Sequence, residues 1–240
     1  MTLGRQQSSR IVARDFDAPP RTKPKVVLIV HYHLGIARGN LKKDDYVTAA
    51  IDYVDSHGID AMTMRSLGAF MDIDATAVYR HFPTKEDLVY AMVDRFLQKI
   101  ENSLNQKLAD ARERIVDRAK CTRSQFEKHP DVGVATVYST GQSMAGFRMS
   151  VGIAQDLELL GVPAKSIPMA YQMLEGFVLG SCCQDFIGSP DNYSIRRNRY
   201  RAFDSTAFDA VAKSEKDVKK VADNAFEQGL SALLNYISSL

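Results

Sequence analysis

The segment of residues 63–85, TMRSLGAFMDIDATAVYRHFPTK, constrains the fold more than any other part of this chain of 240 residues. Thr63 and Asp74 are both residues that favour the N-cap position of a helix. Residues 71–73 lie between the two helices as a tight turn, and Pro83 ends the second helix because proline disfavours helical geometry in the residue before it. The segment therefore predicts two short helices, a tight turn between them, and the cap of a third helix.

Helical periodicity continues through most of the chain. Thr84 is expected to cap a long helix, with Asp87 completing a capping box. The segment 166–187 is apolar on most sides and is expected to be buried all round, whereas the basic residues 189–203 are expected to form a loop. Further helices are predicted over residues 44–57, 108–128, 132–160 (as one helix or two), 166–187 and 214–238. No strand alternation follows residue 40, so the predicted fold class is all-α.

Positive charge is concentrated at the beginning of the chain. The net charge is only +2, but residues 1–43 contain nine Lys or Arg against two Asp. Residues 1–25 have no periodicity, and residues 26–36 suit either a short strand or a helix turn. Residues 1–40 are predicted to be a flexible basic leader, which is either attracted to phosphates or a solvated tail. The apolar run over residues 26–36 is too short to cross a bilayer, so no membrane or export segment is expected.

Motifs that carry enzyme chemistry are sparse in the sequence. Cys121, Cys182 and Cys183 have neither the spacing of metal ligands nor the even number of a disulfide scaffold, which favours a reducing cytoplasm. His31 and His33 form a pair without an evident third ligand. Because no nucleophile–base arrangement or phosphate-binding loop stands out, we expect no enzyme activity, no cofactor and no metal.

The second predicted short helix carries a polar and aromatic face with no evident role in a core. A helix-turn-helix inserts its second helix into the DNA major groove, with the N-terminal residues nearest the base edges. Thr76 can bond a base edge or contact a thymine methyl, and Tyr79 shares its face. The other candidates suit close approach or phosphate contact: Thr63, Arg65, Ala75, Ala77, Arg80, His81 and Lys85. The alternatives are a half-buried core role for Tyr79, a structural role for His81 and a solvated Arg80.

Residues 44–104 resemble the tetracycline-repressor (TetR) family of bacterial regulators, most specifically through ATAVYRHFPTKEDL. The resemblance implies a three-helix DNA-binding domain over residues 41–87, followed by a larger helical ligand-binding and dimerisation domain over residues 88–240. It also implies a homodimer, formed through the helices near 166–187 and 214–238, on a palindromic double-stranded DNA operator. The chain departs from the family at Asp72, where the turn usually has glycine, but aspartate tolerates the left-handed backbone conformation.

The middle of the chain is rich in aromatic residues and methionines. Methionine adapts to irregular shapes, so these side chains are candidates to surround an apolar small molecule between the helix after Thr84 and the helix over 166–187. The alternative is that they are ordinary core. The candidate lining consists of Phe96, Ile100, Phe126, Tyr138, Met144, Phe147, Met173 and Phe177.

Together, these features predict a cytoplasmic, dimeric, sequence-specific DNA-binding transcriptional regulator. The family's usual logic implies a repressor that a small apolar effector releases from its operator. The alternatives are a helical small-molecule-binding protein without DNA activity and a non-specific DNA binder without a regulatory switch.

Overall fold

The computed structural model describes residues 41–139, 143–187, 192–203 and 206–240, and every regular element within these ranges is a helix. This confirms the all-α prediction. The predicted leader over residues 1–40, with its histidine pair, lies outside the described residues. The helices are α1 (Lys43–His57), α2 (Met64–Phe70), α3 (Ala75–His81), α4 (Lys85–Ser103), α5 (Ala111–Lys128), α6 (Pro130–Tyr138), α7 (Met144–Leu159), α8 (Ile167–Phe186), α9 (Asn192–Arg201), α10 (Thr206–Asp209) and α11 (Glu215–Ile237), with a 3-10 turn over Ala164–Ser166.

Side-chain caps begin the N-terminal helices at the positions that the sequence predicts. The Thr63 hydroxyl accepts a hydrogen bond from the N–H three residues later (3.0 Å), which begins α2. Asp74 Oδ1 accepts from the N–H of Thr76 (2.8 Å), which begins α3. At α4, Thr84 Oγ1 accepts from the N–H of Asp87 (3.1 Å), and Asp87 Oδ2 accepts from the N–H of Thr84 (3.0 Å). This reciprocal pair is the predicted capping box.

The turn between α2 and α3 depends on two residues with special backbone requirements. Asp72 lies in the left-handed region with φ 55°, which aspartate tolerates better than most residues that have a Cβ. A Cβ on Gly68 would lie 3.1 Å from both the Cα of Ala75 and the carbonyl oxygen of Ile73. The absence of a side chain at Gly68 therefore allows α2 and α3 to pack backbone against backbone.

The basic segment that was predicted to be a loop is helical over Asn192–Arg201, so the loop prediction is wrong there. Arg197 donates from Nε to the carbonyl of Ala212 (2.9 Å) and from Nη2 to the carbonyl of the next residue (3.0 Å). Arg196 forms an ion pair with Asp185 of α8. Contacts to chain segments on both sides thus hold α9 in place.

The helix α8 is not buried on all sides in the single chain, so its burial all round stays a prediction that depends on a partner. Leu174 and Phe186 are buried, but Met169 is 46% exposed, and Gly176 and Gly180 are exposed as well. A Cβ added at either glycine would meet no atom within 4 Å. One face of α8 therefore remains uncovered by the described part of the chain.

The core consists of two clusters that share helices. The first joins α1–α4 to α5, α6 and α8, and its buried members include Val54, Leu67, Val78, Phe82, Leu88, Phe96, Ile100, Phe126, Val132 and Phe186. The second joins α5, α7, α8 and α11, and its buried members include Ile115, Leu157, Leu174, Phe226, Leu230 and Leu234. Because the first cluster continues across residue 87, the domain boundary placed there stays a prediction.

Polar contacts fasten α4 and α1 to the rest of the helices. On α4, Asp94 Oδ1 accepts from the Ser143 hydroxyl (2.6 Å), and Glu101 pairs with Arg148 of α7 through two bonds of 2.6 and 2.7 Å. On α1, a carboxylate oxygen of Asp55 lies 2.6 Å from Nδ1 of the histidine that precedes α6. The N-terminal module, defined as α1–α3, is thus bonded directly to the start of α6 through Asp55, and α4 is bonded to α7.

A charged side chain lies buried where α5, α8 and α11 meet. Arg123 donates to Asp185 (2.7 Å) and to Asp223 (2.8 Å). Its guanidinium lies 4.9 Å from the ring centroid of Phe186 and 4.7 Å from that of Phe226. The two carboxylates and the two aromatic rings together offset the free-energy cost of removing the guanidinium from water.

Replacement of Arg123 by methionine is expected to lower the free energy of unfolding by about 3 kcal/mol, because it leaves the buried Asp185 carboxylate with one partner fewer. Urea unfolding at a fixed protein concentration measures the change. The control is Lys120→Met, which removes an exposed pair with Glu227 and should cost less than about 1 kcal/mol. Equal losses for the two variants would contradict the structural role of Arg123.

Candidate nucleic-acid interface and ligand pocket

The helix α3 has one buried face and one exposed face. Val78 and Phe82 are completely buried. On the opposite face, Thr76 and Arg80 are exposed and Tyr79 is 52% exposed. The exposed face therefore presents a hydroxyl, a phenol and a guanidinium side by side, a set of groups that can bond bases and phosphates.

Asp74 and Thr76 form a local unit at the N-terminus of α3. The Thr76 hydroxyl donates to Asp74 Oδ1 (2.6 Å), and the same oxygen accepts from the Thr76 N–H. These two bonds, together with the nearby Arg80, hold the pKa of the Asp74 carboxyl below its ordinary value. The methyl group and the hydroxyl lone pairs of Thr76 stay available for a base edge.

Other predicted contact residues contribute to the packing of the N-terminal module. The His81 ring lies 4.6 Å from the ring of the buried Tyr46, centroid to centroid. Lys85 donates from Nζ to the carbonyl of Ile59 (3.3 Å). His81 and Lys85 are partly buried and lie at the two ends of the connection between α3 and α4. Both side chains therefore have a structural role in the chain by itself.

The remaining predicted contact residues lie near the N-termini of α2 and α3. Thr63 and Arg65 are exposed at the start of α2. Ala75 and Ala77 are partly buried, and Ala75 contributes to the close α2–α3 contact at Gly68. All nine predicted DNA-contact residues therefore lie within one continuous segment of the N-terminal module, or directly after it at the start of α4.

A pocket of about 230 Å3 lies between α4, α5, α6, α7 and α8. Of the predicted lining residues, Phe96, Ile100 and Phe126 line it. The side chains lining it are those of Phe96, Leu97, Ile100, Ile115, Arg118, Ala119, Thr122, Phe126, Thr136, Met149, Ser150, Ile153, Tyr171, Leu174, Glu175, Val178 and Leu179.

The other predicted lining residues lie elsewhere. Phe177 stacks on the ring of Phe226 at 5.8 Å between α8 and α11, and Met173 is not among the lining residues. Tyr138 is 79% exposed. Met144 and Phe147 are exposed and line a surface groove beside the pocket, formed with Val93, Leu97, Thr136, Ser139, Ser143 and Gly146. Helical spacing identifies apolar residues but leaves open which neighbouring helix each one faces.

Sequence reasoning missed the polar side of the pocket. Ser150 Oγ lies 2.8 Å from Tyr171 Oη, which donates to Glu175 Oε1 (3.0 Å). Burial is the main cause that raises the pKa of Tyr171 above its ordinary value. Tyr171 and Glu175 stand one helical turn apart in an otherwise apolar stretch, and this spacing is the signal from which the pair could have been found.

Neither a metal site nor a membrane-spanning helix is found in the parts of the chain that the structure describes. Within residues 41–139, 143–187, 192–203 and 206–240, no group of three or more His, Cys, Asp or Glu side chains is arranged to hold a metal ion. Over the same ranges, no helix combines the length and the apolar character needed to cross a bilayer.

Residues 47–92 match the family model described as bacterial regulatory proteins, tetR family. Among curated proteins, the chain is 30% identical over 94 residues to the HTH-type transcriptional repressor Rv1353c of Mycobacterium tuberculosis (strain ATCC 25618 / H37Rv). This stretch covers 39% of this chain and 36% of that protein. The chain spans about a third to a half of the length of the curated relatives that it matches.

Solved structures share the fold over most of the chain. BioQ in complex with its natural double-stranded DNA operator gives a TM-score of 0.62 at 21% identity, covering 84% of this chain and 100% of that one. The TetR family protein ActR of Streptomyces coelicolor, in complex with (S)-DNPA, gives a TM-score of 0.62 at 17% identity, covering 84% and 98%. At these identities the likeness concerns the fold.

Replacement of Gly68 by alanine is expected to destabilise the chain by about 1–3 kcal/mol, because the new Cβ meets backbone atoms that cannot rotate away. Thermal unfolding measures the loss. The matched control is Ala69→Ser, a change of similar size at the exposed neighbouring position of α2, which should leave the midpoint nearly unchanged. A Gly68→Ala protein as stable as the control would contradict the close α2–α3 packing.

Proposed function

We propose that this chain, a member of the TetR family of bacterial regulatory proteins, is a sequence-specific DNA-binding transcriptional regulator. The observation that carries the proposal is the exposed face of α3, where Thr76, Tyr79 and Arg80 lie together within the segment that matches the family model. The chain has no partner for this surface among its own described helices. A nucleic acid is the ligand that the mixture of hydroxyl, phenol and cation suits best.

The proposed DNA contacts divide between two tasks. Thr76 and Tyr79 contact base edges in the major groove and determine which sequence is bound. Thr63, Arg65, Arg80, His81 and Lys85 contact phosphates and determine affinity, and Ala75 and Ala77 are small enough to allow close approach. The first turns of α2 and α4 support this division, because the N–H groups that the caps leave unbonded can bond a phosphate.

We propose that the chain acts as a homodimer through α8 and α11. One module contacts only a few base pairs, whereas two modules related by a twofold axis recognise the half-sites of a palindrome. The outer faces of these helices leave Met169 of α8 and Val221 and Tyr236 of α11 exposed, and Gly176 and Gly180 would allow close helix contact. Apolar and small residues of this kind are the usual material of a symmetric interface.

The proposed switch uses α4 as the connection between pocket and DNA. Its first residue, Lys85, bonds the N-terminal module, and Phe96 and Ile100 farther along the same helix line the pocket. A second connection runs through α6, since Thr136 lines the pocket and His129 at the other end pairs with Asp55 of α1. A ligand that favours one arrangement of these helices changes DNA affinity by the difference between its own affinities for the two arrangements.

We propose that the protein represses transcription and that binding of an effector relieves this repression. The name of Rv1353c calls that relative a repressor, BioQ was crystallised on its operator, and ActR was crystallised with a small molecule. The same proposal places the protein in the cytoplasm with its DNA and assigns it no catalytic reaction.

Selection of DNA from a random-sequence pool by the full chain tests the function directly. We expect a palindromic consensus that is bound in the presence of excess competitor DNA. The variants Thr76→Ala and Tyr79→Phe should change the relative affinities among sequences, with losses of about tenfold at the contacted base pairs. The control Lys99→Ala removes an exposed charge on α4, away from the proposed contacts, and should leave the preferences unchanged.

The same assay separates the alternatives. Binding that competitor DNA abolishes, with identical preferences in all variants, would indicate a non-specific DNA binder. No DNA binding at low salt would leave a helical small-molecule-binding protein.

Arg80→Ala should weaken binding to all sequences by a similar factor and reduce the slope of the salt dependence by about one.

The replacement Val221→Glu is expected to convert the dimer into monomer, because it buries an unpaired charge at the proposed interface. Light scattering coupled to gel filtration measures the molar mass over a dilution series. The control is Val151→Glu on α7, where the native valine is 37% exposed, as Val221 is. A Val221→Glu protein that remains dimeric at all concentrations would rule out this face of α11 as the interface.

A further inference from the structure

The pocket contains one carboxylate that no cation among the described residues neutralises. Glu175 Oε1 accepts from Tyr171 Oη, and Tyr171 Oη is in turn bonded to Ser150. Since the single phenol proton goes to Glu175, Ser150 is the donor to Tyr171. No side chain of the described residues donates a hydrogen bond to Oε2 of Glu175, and no Lys or Arg among them forms an ion pair with this residue. The row of hydroxyl groups therefore points toward a carboxylate with an open oxygen.

The cation that lines the same pocket is already neutralised. Arg118 Nη1 pairs with Oδ2 of the buried Asp156 at 2.6 Å, and Arg114 donates to Oδ1 of the same carboxylate at 2.7 Å. The guanidinium of Arg118 is packed against α7, where a Cβ on Gly152 would lie 2.6 Å from Nη2. Its buried Nε has no hydrogen-bond partner among the described residues, so it can donate to a neutral acceptor such as a carbonyl or ether oxygen.

The rest of the lining is apolar and aromatic. Phe96 and Phe126 meet edge to face, with ring centroids 5.5 Å apart, and Ile100, Ile153 and Leu174 are also at the pocket surface. These side chains suit a compact hydrocarbon or aromatic body. The titratable groups facing this space from the surrounding helices are Arg118 on α5 and Tyr171 and Glu175 on α8.

We propose that the pocket binds small apolar molecules that carry a protonated amine, with the ammonium group donating to Glu175 and the apolar body against the phenylalanines. The ammonium supplies the positive charge and the hydrogen-bond donors that the open carboxylate lacks. Only the role of such an amine as an effector rests on the proposed function. The binding site itself stands on the pocket geometry.

The test compares three molecules that share one apolar body, namely 4-phenylbutylamine, 4-phenylbutanol and 4-phenylbutyrate. Isothermal titration calorimetry with the full chain, without DNA, measures each affinity. The amine is expected to bind about tenfold more tightly than the alcohol, and the carboxylate is expected to bind most weakly. In Glu175→Gln, the preference for the amine over the alcohol should disappear, and the alcohol should bind at least as tightly as it does to the native chain, because no carboxylate remains to be desolvated.

Two controls separate recognition from folding and from overall charge. Glu158→Gln removes one negative charge from an exposed position of α7 outside the pocket lining, and it should keep the preference for the amine. Tyr171→Phe leaves the carboxylate in place and removes its internal donor, so amine binding should persist. Thermal unfolding without ligand reports whether each variant is folded, and the ranking of the three molecules on the native chain requires no variant.

Several outcomes would overturn the inference: the carboxylate binding most tightly, equal affinities for all three molecules, no detectable binding of the amine at millimolar concentration, or an amine preference that survives in Glu175→Gln. The result is independent of DNA binding. A chain that binds amines through Glu175 but selects no DNA sequence would refute the proposed regulatory function and support the pocket assignment. A chain that binds a specific DNA sequence but shows no preference for amines would support the proposed regulatory function and refute the pocket assignment.

Discussion

The rest of the structure depends on the packing of α4, which contacts the N-terminal module along its first half and lines the pocket along its second half. Leu88 and Met92 on this helix are buried with α1–α3, and Phe96 and Ile100 are buried in the same cluster while also lining the pocket. A helix interior transmits displacement along its axis because its backbone bonds are satisfied internally. No separate hinge is therefore needed to connect the pocket to the N-terminal module.

This shared core limits how the N-terminal module can move. Two polar attachments act in parallel: Asp94 and Glu101 hold α4 to α7, and Asp55 holds α1 to His129 before α6. Since both α4 and α6 contribute to the pocket wall and both are bonded to α1–α3, a ligand that changes their separation would act on α1–α3 through two contacts. Closely packed interiors pass between discrete arrangements more readily than they deform continuously, which suits a two-state switch.

Local interactions made part of this architecture predictable from sequence. The caps at Thr63, Asp74 and Thr84 could be predicted because donor and acceptor are at most three residues apart. The helix α9 could not, because its arginines bond groups eleven to sixteen residues away. Similarly, the exposed face of α3 follows from its own periodicity, but the pocket lining depends on how five helices are rotated, so Tyr138, Met144 and Phe147 were assigned to the wrong surface.

The carboxylate in the pocket also determines what the pocket rejects. In the free chain Glu175 is partly exposed, so its charge is open to solvent. A ligand that fills the pocket displaces this solvent, and a neutral apolar body then leaves a buried carboxylate without compensation. A carboxylate ligand adds like-charge repulsion to that cost. The proposed selectivity for amines therefore arises as much from the free-energy cost that other ligands pay as from the bond that the ammonium forms. The helices that line this pocket include α4 and α6, which also contact the N-terminal module.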